Sequence, residues 1–223
     1  MEILFDTANL ADIEEMTPIY PVSGVTTNPT IIKAEGPIDF YPHFRRIREV
    51  IGPDRTLHIQ VLAQTADGIV ADAQRLRAMV DADVYVKIPT TEQGIRAMRL
   101  LREQGIGVTA TAIYSKTQGI LAIAAGANYI APYFNRMESL DIDTVATIKS
   151  LSRFIDRHGA DCKIMAASFK NVAQVSAAFE AGAQAVTLPP QLLRAALGAP
   201  DVTQAVSAFA QDWYDTFGTE TLP

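Results

Sequence analysis

The 223-residue sequence has few of the features that mark secreted, membrane or nucleic-acid-binding proteins. Its single cysteine, Cys162, excludes a disulfide within the chain and fits a reducing compartment. No apolar run approaches the roughly 18 residues of a membrane span, and residues 1–6 lack the basic start of a signal peptide. The formal net charge is −6, and lysine and arginine do not cluster. We therefore predict a cytoplasmic protein with no nucleic-acid or membrane partner.

Several common catalytic motifs are also missing. No Gly-x-Gly-x-x-Gly follows the first strand-like run, and no phosphate-binding loop of the Walker type occurs. No Gly-x-Ser-x-Gly marks a serine nucleophile. The three histidines, His43, His58 and His158, have no metal-ligand spacing with one another or with Cys162. We therefore predict that the protein uses no metal and no dinucleotide cofactor.

What the chain does contain is a regular alternation of short apolar runs and amphipathic segments. Eight strand-like runs are separated by helical ones, without a linker or a change of composition. They cover residues 3–5, 25–29, 56–61, 83–91, 107–112, 129–133, 163–168 and 185–188. Eight such units predict an α/β protein, a (βα)₈ TIM barrel that forms a single domain over residues 1–223. A last helix over 202–217 extends it, and an open doubly wound sheet is the alternative.

One lysine lies inside an apolar strand. Lys87 stands in the run Val84 to Pro89, and strand alternation places it on the same side as Tyr85. A buried ammonium requires a carboxylate partner or a lowered pKa. One interpretation is an ion-paired or snorkelling lysine at the end of a strand. The other is a neutral amine that attacks carbonyl groups and forms a Schiff base.

Polar side chains stand at the carboxyl ends of the predicted strands, where barrel enzymes carry their active sites. The residues concerned are Asp6, Thr26, Asn28, Gln60, Lys87, Thr111, Tyr133, Arg136 and Ser168. Several have a structural alternative. Asn28 precedes a proline and is typical of a turn, and Ser168 is a possible helix cap. Arg136 is a possible surface ion-pair partner of Glu138 or Asp141. Taken together, the nine residues predict one polar cluster around Lys87.

Five motifs, in order along the chain, resemble the small transaldolase family. They are Asp-Thr-Ala at 6–8, Gly-Val-Thr-Thr-Asn-Pro-Thr at 24–30, Val-Lys-Ile-Pro at 86–89, Tyr-Ile-Ala-Pro-Tyr-Phe-Asn-Arg at 129–136 and Ala-Ala-Ser-Phe-Lys at 166–170. The resemblance implies a barrel with class I aldolase chemistry, a Schiff base on Lys87 and no metal or other cofactor. It also implies a homo-oligomer, a pentamer or decamer, in which the apolar stripe of Phe209, Trp213 and Phe217 reaches a neighbouring subunit. The alternative is that this stripe packs on its own core.

Three positions divide this family into transaldolases and fructose-6-phosphate aldolases. Gln60, Thr111 and Tyr133 are similar to the aldolases, where transaldolases have glutamate, asparagine and phenylalanine. The resemblance therefore implies reversible cleavage of fructose 6-phosphate to dihydroxyacetone and glyceraldehyde 3-phosphate. Transaldolase activity, the transfer of a dihydroxyacetone unit between sugar phosphates, is the alternative. The loop at 137–142 departs from the aldolases because it is shorter and lacks glycine.

The resemblance also implies individual roles for the polar cluster. Tyr133 is expected to move a proton through a water held by Gln60 and Thr111. Asp6, with Thr26 and Asn28, is expected to bind the dihydroxyacetone hydroxyls or to assist formation of the iminium. The phosphate is expected on Arg136 and Ser168.

Overall fold

The computed structural model describes residues 1–222, and its centre is a closed sheet of eight parallel strands. Each strand pairs with the next along the chain, and the last pairs with the first. The strands are β1 (Glu2–Asp6), β2 (Gly24–Thr26), β3 (Thr56–Gln60), β4 (Tyr85–Pro89), β5 (Val108–Ile113), β6 (Tyr129–Pro132), β7 (Lys163–Ala166) and β8 (Ala185–Leu188). This confirms the predicted (βα)₈ TIM barrel.

Eleven helices are found within residues 1–222. They are α1 (Leu10–Met16), α2 (Pro29–Ala34), α3 (Phe40–Ile51), α4 (Ala66–Met79), α5 (Glu92–Glu103), α6 (Lys116–Ala124), α7 (Phe134–Glu138), α8 (Thr144–His158), α9 (Val172–Glu180), α10 (Pro190–Leu197) and α11 (Pro200–Phe217). The sequence did not indicate α2, α7 or α10. Each has eight residues or fewer, so the apolar period that marks a helix scarcely repeats.

Side-chain caps fix where the main helices begin. Thr65, Thr91 and Ser115 each accept a hydrogen bond from a backbone N–H in the first turn of the helix that follows. Gly94 brings α5 close to the end of β4, because a Cβ at this position would stand 2.0 Å from the carbonyl oxygen of Pro89. The helix after the lysine strand therefore requires glycine at this contact.

Strand alternation divides the side chains of β4 as predicted. Val86 and Ile88 are fully buried apolar residues on one side of the strand. Tyr85 points inward, where it stacks on His58 of β3 with ring centroids 4.9 Å apart. Lys87 shares the inward side. The inside of the barrel is therefore where the lysine lies.

Residues 1–190 and 191–222 form separate compact units. The second unit holds most of α10 and all of α11, which contains no buried residue. Phe209 and Phe217 of α11 are 70% and 59% exposed. No helix within residues 1–222 has the length and apolar character needed to cross a membrane.

Candidate active site

Lys87 is the most deeply buried cation of the polar cluster. Its residue is 2% exposed, and Nζ donates a hydrogen bond to the backbone oxygen of Thr27 at 3.2 Å. No carboxylate among residues 1–222 forms an ion pair with it. Burial lowers the pKa of Lys87, and the nearby charge of Asp6 opposes that shift only in part. A lysine in this setting gives up its proton readily and becomes a nucleophilic amine.

Asp6 ends β1 and is held by a chain of hydroxyl groups. The Thr26 hydroxyl donates to Asp6 Oδ1 at 2.8 Å. Thr26 Oγ1 also lies 2.7 Å from Oγ1 of Thr187, on β8. Both threonines are fully buried. Thr187 was missed by the sequence analysis, because a threonine inside a strand is ordinary and only barrel closure brings β8 beside β1.

Tyr133 and Thr111 form the second hydrogen-bonded pair of the cluster. The Tyr133 hydroxyl lies 3.0 Å from Oγ1 of Thr111. The pairing of β5 with β6 shifts register beyond Ala110, and Ala112 has a φ of 58°. This irregularity is a bulge next to the site, where bulges commonly redirect side chains.

Gln60 pairs in register with Lys87, so the glutamine stands beside the lysine as predicted. Asn28 has a structural role, because its side-chain oxygen accepts from the backbone N–H groups of Thr30 and Ile31 at 2.9 and 3.1 Å. It is therefore the N-cap of α2, which agrees with the structural alternative. Its amide nitrogen is the part that remains for a ligand.

Arg136 is held by two tyrosines. Its Nη1 donates to the Tyr114 hydroxyl at 3.2 Å, and its guanidinium lies 4.8 Å from the centre of the Tyr133 ring. This hydrogen bond, which the Tyr114 hydroxyl accepts, raises the pKa of Arg136 above its ordinary value. The ion pair considered with Glu138 or Asp141 is not formed. Tyr114 was missed as a site residue, although its place directly after the fifth strand was an available signal.

Ser168 lies just beyond β7 with a φ of 66°, a left-handed conformation that is costly for a residue with a side chain. Its carbonyl oxygen accepts from the Asn135 N–H at 2.9 Å, which ties this loop to α7. Ser168 does not cap α9, because Asn171 does so. The structural alternative for Ser168 is therefore wrong.

Two sets of inward side chains are distinguished by their position along the strands. The upper layer consists of Lys87, Asp6, Thr26, Thr111 and Tyr133, near the carboxyl ends. The lower layer consists of His58, Thr56, Thr109, Tyr85 and Tyr129, toward the amino ends. The hydrogen bonds follow this division, since they link His58 to Thr56 and Thr109 and separately link Thr26 to Asp6 and Thr111 to Tyr133.

His58 is the centre of the lower layer and is held as a neutral imidazole. Thr56 donates to the Ser23 carbonyl at 3.3 Å, so its oxygen accepts from His58 Nε2–H at 2.9 Å. Nδ1 then accepts from the Thr109 hydroxyl at 2.8 Å. Burial, with the charges of Lys87 and then Arg48, lowers the pKa of His58 to about 3.

A wide cavity lies away from Lys87. It has a volume of about 610 Å³ and is lined by residues that precede the strands, including Val84, Gly107, Asn128 and Cys162. Burial, together with the charge of Asp161, raises the pKa of the Cys162 thiol to about 12. This thiol is therefore not an activated nucleophile. The polar cluster around Lys87 lies instead at the carboxyl ends of the strands.

Fold and site define a barrel enzyme with a buried lysine at its centre, and two comparisons agree with this. The sequence model of the family described as "Transaldolase/Fructose-6-phosphate aldolase" matches residues 3–220. A Streptococcus pneumoniae (strain ATCC 700669 / Spain 23F-1) protein described as "Probable fructose-6-phosphate aldolase" is 46% identical over 214 residues, 96% of each chain. The chain belongs to the transaldolase/fructose-6-phosphate aldolase family.

Proposed function

We propose that this enzyme is a class I aldolase that reversibly cleaves fructose 6-phosphate to dihydroxyacetone and glyceraldehyde 3-phosphate. The observation that carries the proposal is the state of Lys87, a buried amine with a lowered pKa and no carboxylate partner. Such an amine attacks the C2 carbonyl of the ketose. The amine and the carbonyl combine with one proton to give an iminium and water.

The iminium accepts the electron pair that is released when the C3–C4 bond breaks. This step requires a base for the C4 hydroxyl proton, within hydrogen-bond reach or one water away. The Tyr133 hydroxyl, beside Thr111, supplies that base in the proposal, with Gln60 positioning the water. The aldehyde leaves, and an enamine of dihydroxyacetone stays on Lys87.

The fate of the enamine separates an aldolase from the alternative, a transaldolase. Protonation and hydrolysis release dihydroxyacetone, whereas retention until another aldehyde arrives gives transfer. The contact of Tyr133 with Thr111 favours the aldolase, because a phenol can return the proton and a phenylalanine cannot. The similarity to the S. pneumoniae protein supports the same choice.

Substrate binding in the proposal uses the remaining cluster. Arg136 and Ser168 bind the phosphate, and a phosphate near the seventh strand is frequent in barrels of this kind. The Asn28 amide nitrogen binds a hydroxyl of the dihydroxyacetone part. The acceptor range depends on residues 137–142, next to Arg136.

We extend the proposal to assembly and location. The exposed aromatic side chains of α11 support a homo-oligomer, a pentamer or a decamer, in which this helix is covered by another subunit. The one buried, unpaired thiol is consistent with a reducing, cytoplasmic location.

A coupled assay tests the proposed reaction. Purified protein is given free dihydroxyacetone and glyceraldehyde 3-phosphate, and fructose 6-phosphate is followed, with Lys87→Ala as the control. Product from the wild type alone supports the aldolase. A second mixture, fructose 6-phosphate with erythrose 4-phosphate, tests the alternative. Sedoheptulose 7-phosphate there, without product in the first mixture, would make the protein a transaldolase.

A further inference from the structure

We infer that Thr187 is a positioning residue for the reaction, which acts through Thr26 to orient Asp6 and leaves Asp6 Oδ2 as the oxygen that exchanges protons at the Schiff base. The inference rests on the proposed Schiff-base chemistry of Lys87. It assigns a role to a threonine of β8 whose hydroxyl is hydrogen-bonded to Thr26, whereas the lysine is hydrogen-bonded to the backbone of Thr27.

The three residues come from three neighbouring strands. Leu4 of β1 pairs with Thr187 on one side and with Gly24 on the other, and Asp6 pairs with Thr26. The two threonines therefore meet over β1, inside the barrel. The oxygen of Thr26 lies 2.7 Å from that of Thr187 and 2.8 Å from Asp6 Oδ1.

The direction of these hydrogen bonds follows from the number of protons. An ionised carboxylate only accepts, so the single hydroxyl proton of Thr26 is donated to Asp6 Oδ1. Between the two threonines, Thr187 must then be the donor and Thr26 the acceptor. Both residues are 0% exposed, so bulk water cannot replace either bond.

This chain has a chemical consequence for Asp6. Oδ1 is an occupied acceptor, and the carboxylate is prevented from rotating. Within residues 1–222 no protein donor reaches Oδ2, so this oxygen is available to take up a proton from solvent and pass it on. Formation of the iminium consumes one proton and releases one water. In the proposal Oδ2 delivers that proton to the leaving hydroxyl as the nitrogen lone pair forms the C=N bond.

The same arrangement changes the role expected for Thr26. Its proton is donated inside the protein, and its side chain is fully buried. It therefore acts on the substrate indirectly, through the carboxylate. Thr26 and Thr187 together polarise Asp6 Oδ1, since the donation by Thr187 strengthens the donation by Thr26.

The test compares three substitutions at one buried position. Thr187→Val keeps the shape and removes the hydroxyl, Thr187→Ser keeps the hydroxyl, and Thr187→Cys offers only a weak donor. The rate of Schiff-base formation is measured with dihydroxyacetone by borohydride trapping in a single turnover, together with the melting temperature of each variant. We expect Thr187→Val to slow trapping about fivefold, the effect of one hydrogen bond, with little change in the KM for dihydroxyacetone. Thr187→Ser should return to within about twofold of the wild type, and Thr187→Cys should be intermediate.

A double substitution separates positioning from packing. If Thr187 acts through Thr26, the pair Thr26→Val and Thr187→Val should be no slower than Thr26→Val alone. Multiplied effects would overturn the inference, as would a wild-type trapping rate in folded Thr187→Val or a failure of Thr187→Ser to restore the rate. If the wild type itself forms no adduct on Lys87, the proposed function fails and the role of Thr187 fails with it.

Discussion

The upper and lower layers of the barrel interior both bury polar side chains, but they pair them differently. In the lower layer, both nitrogens of His58 are hydrogen-bonded, and the Tyr129 hydroxyl donates to Glu2 at 3.0 Å. In the upper layer, the only hydrogen bond of Lys87 within residues 1–222 goes to the backbone oxygen of Thr27. The lower layer holds His58 and Tyr129 by hydrogen bonds, and the upper layer leaves Lys87 without an ion-pair partner.

This difference in pairing indicates that the two layers have different roles, one in stability and the other in the proposed chemistry. A buried polar group with its partners costs little, whereas an unpaired buried cation is expensive and shifts its pKa instead. The lower layer therefore supports the barrel, and in the proposed mechanism the upper layer uses the same burial to produce a reactive amine. Strained or under-paired groups cluster at functional sites for this reason.

The largest effect is expected from Lys87→Met, which replaces the cation with an apolar chain of similar length. Schiff-base trapping should disappear, and turnover should fall by more than about 10⁴-fold. The free energy of unfolding should stay equal or rise, because an unpaired buried charge is removed. Trapping with borohydride and thermal unfolding at pH 7 measure the two effects. A covalent adduct in this variant would refute the assignment of Lys87.

The next largest effect is expected at Tyr133, the proposed acid and base of the upper layer. Tyr133→Phe should lower the rate of dihydroxyacetone release by about 100-fold, since the group that takes up the C4 hydroxyl proton and returns a proton to the enamine is lost. Transfer to an added aldehyde should suffer less, so the ratio of transfer to cleavage should rise. Thr111→Val keeps the phenol but removes its hydrogen-bond partner, so its rate should lie between those of Tyr133→Phe and the wild type. Unchanged product ratios in Tyr133→Phe would count against its role.

A substitution in the lower layer should change the stability of the fold and leave the catalytic activity nearly unchanged. His58→Leu leaves the Thr109 hydroxyl without a partner and removes the N–H that the Thr56 oxygen accepts, and it should cost about 2–4 kcal/mol of unfolding free energy at pH 7. Activity per folded molecule should change little at low temperature. Denaturant unfolding measures the loss, and a large fall in activity of the folded variant would show that the two layers are not separable.

The pH dependence of stability gives a second measurement on the same residue. Burial lowers the pKa of His58 to about 3 in the folded state, so between pH 6.5 and 3 the unfolded chain binds a proton that the native state does not. This contribution to stability is full above pH 6.5 and is lost at about 1.4 kcal/mol per unit as the pH falls. The His58→Leu variant should lack this component, and an identical slope in both proteins would contradict it.

The smallest effect is expected at the rim of the upper layer. Tyr114→Phe removes the hydroxyl that accepts the hydrogen bond from Arg136 and keeps the ring. The KM for glyceraldehyde 3-phosphate should rise about fivefold, the effect of one exposed hydrogen bond to a charged group, with little change for glyceraldehyde. The difference between the two acceptors is the measurement. Equal changes for both would mean that Tyr114 does not position Arg136 for phosphate.

Much of the fold could be predicted because its signals are local. The strand covering Ala185–Leu188 agrees with its predicted bounds, and Thr65, Thr91 and Ser115 cap the helices they precede. Short-period alternation and capping need only neighbouring residues. The short helices α2, α7 and α10 were missed because their patterns scarcely repeat.

The site was predicted as a set of strand ends, but not as a set of contacts. Alternation placed Lys87 on the same side of its strand as Tyr85, and the predicted strand ends put Asp6, Thr111 and Tyr133 at the same end of the barrel. It could not predict that the side-chain oxygen of Asn28 would cap α2. Nor could it predict that Arg136 would donate a hydrogen bond to Tyr114 instead of forming an ion pair with Glu138. Rotamers and loop geometry decide those contacts.

The sequence by itself therefore determined the eight-strand alternation, the direction in which the lysine points and the family to which the chain belongs. Tertiary structure alone decided which groups are partners. Thr26 and Thr187 are 161 residues apart and meet because β8 closes on β1. The lowered pKa of Lys87 is likewise a property of burial in the closed barrel. Local patterns specify strands and their faces, whereas hydrogen-bond partners and desolvation depend on the register in which distant strands meet.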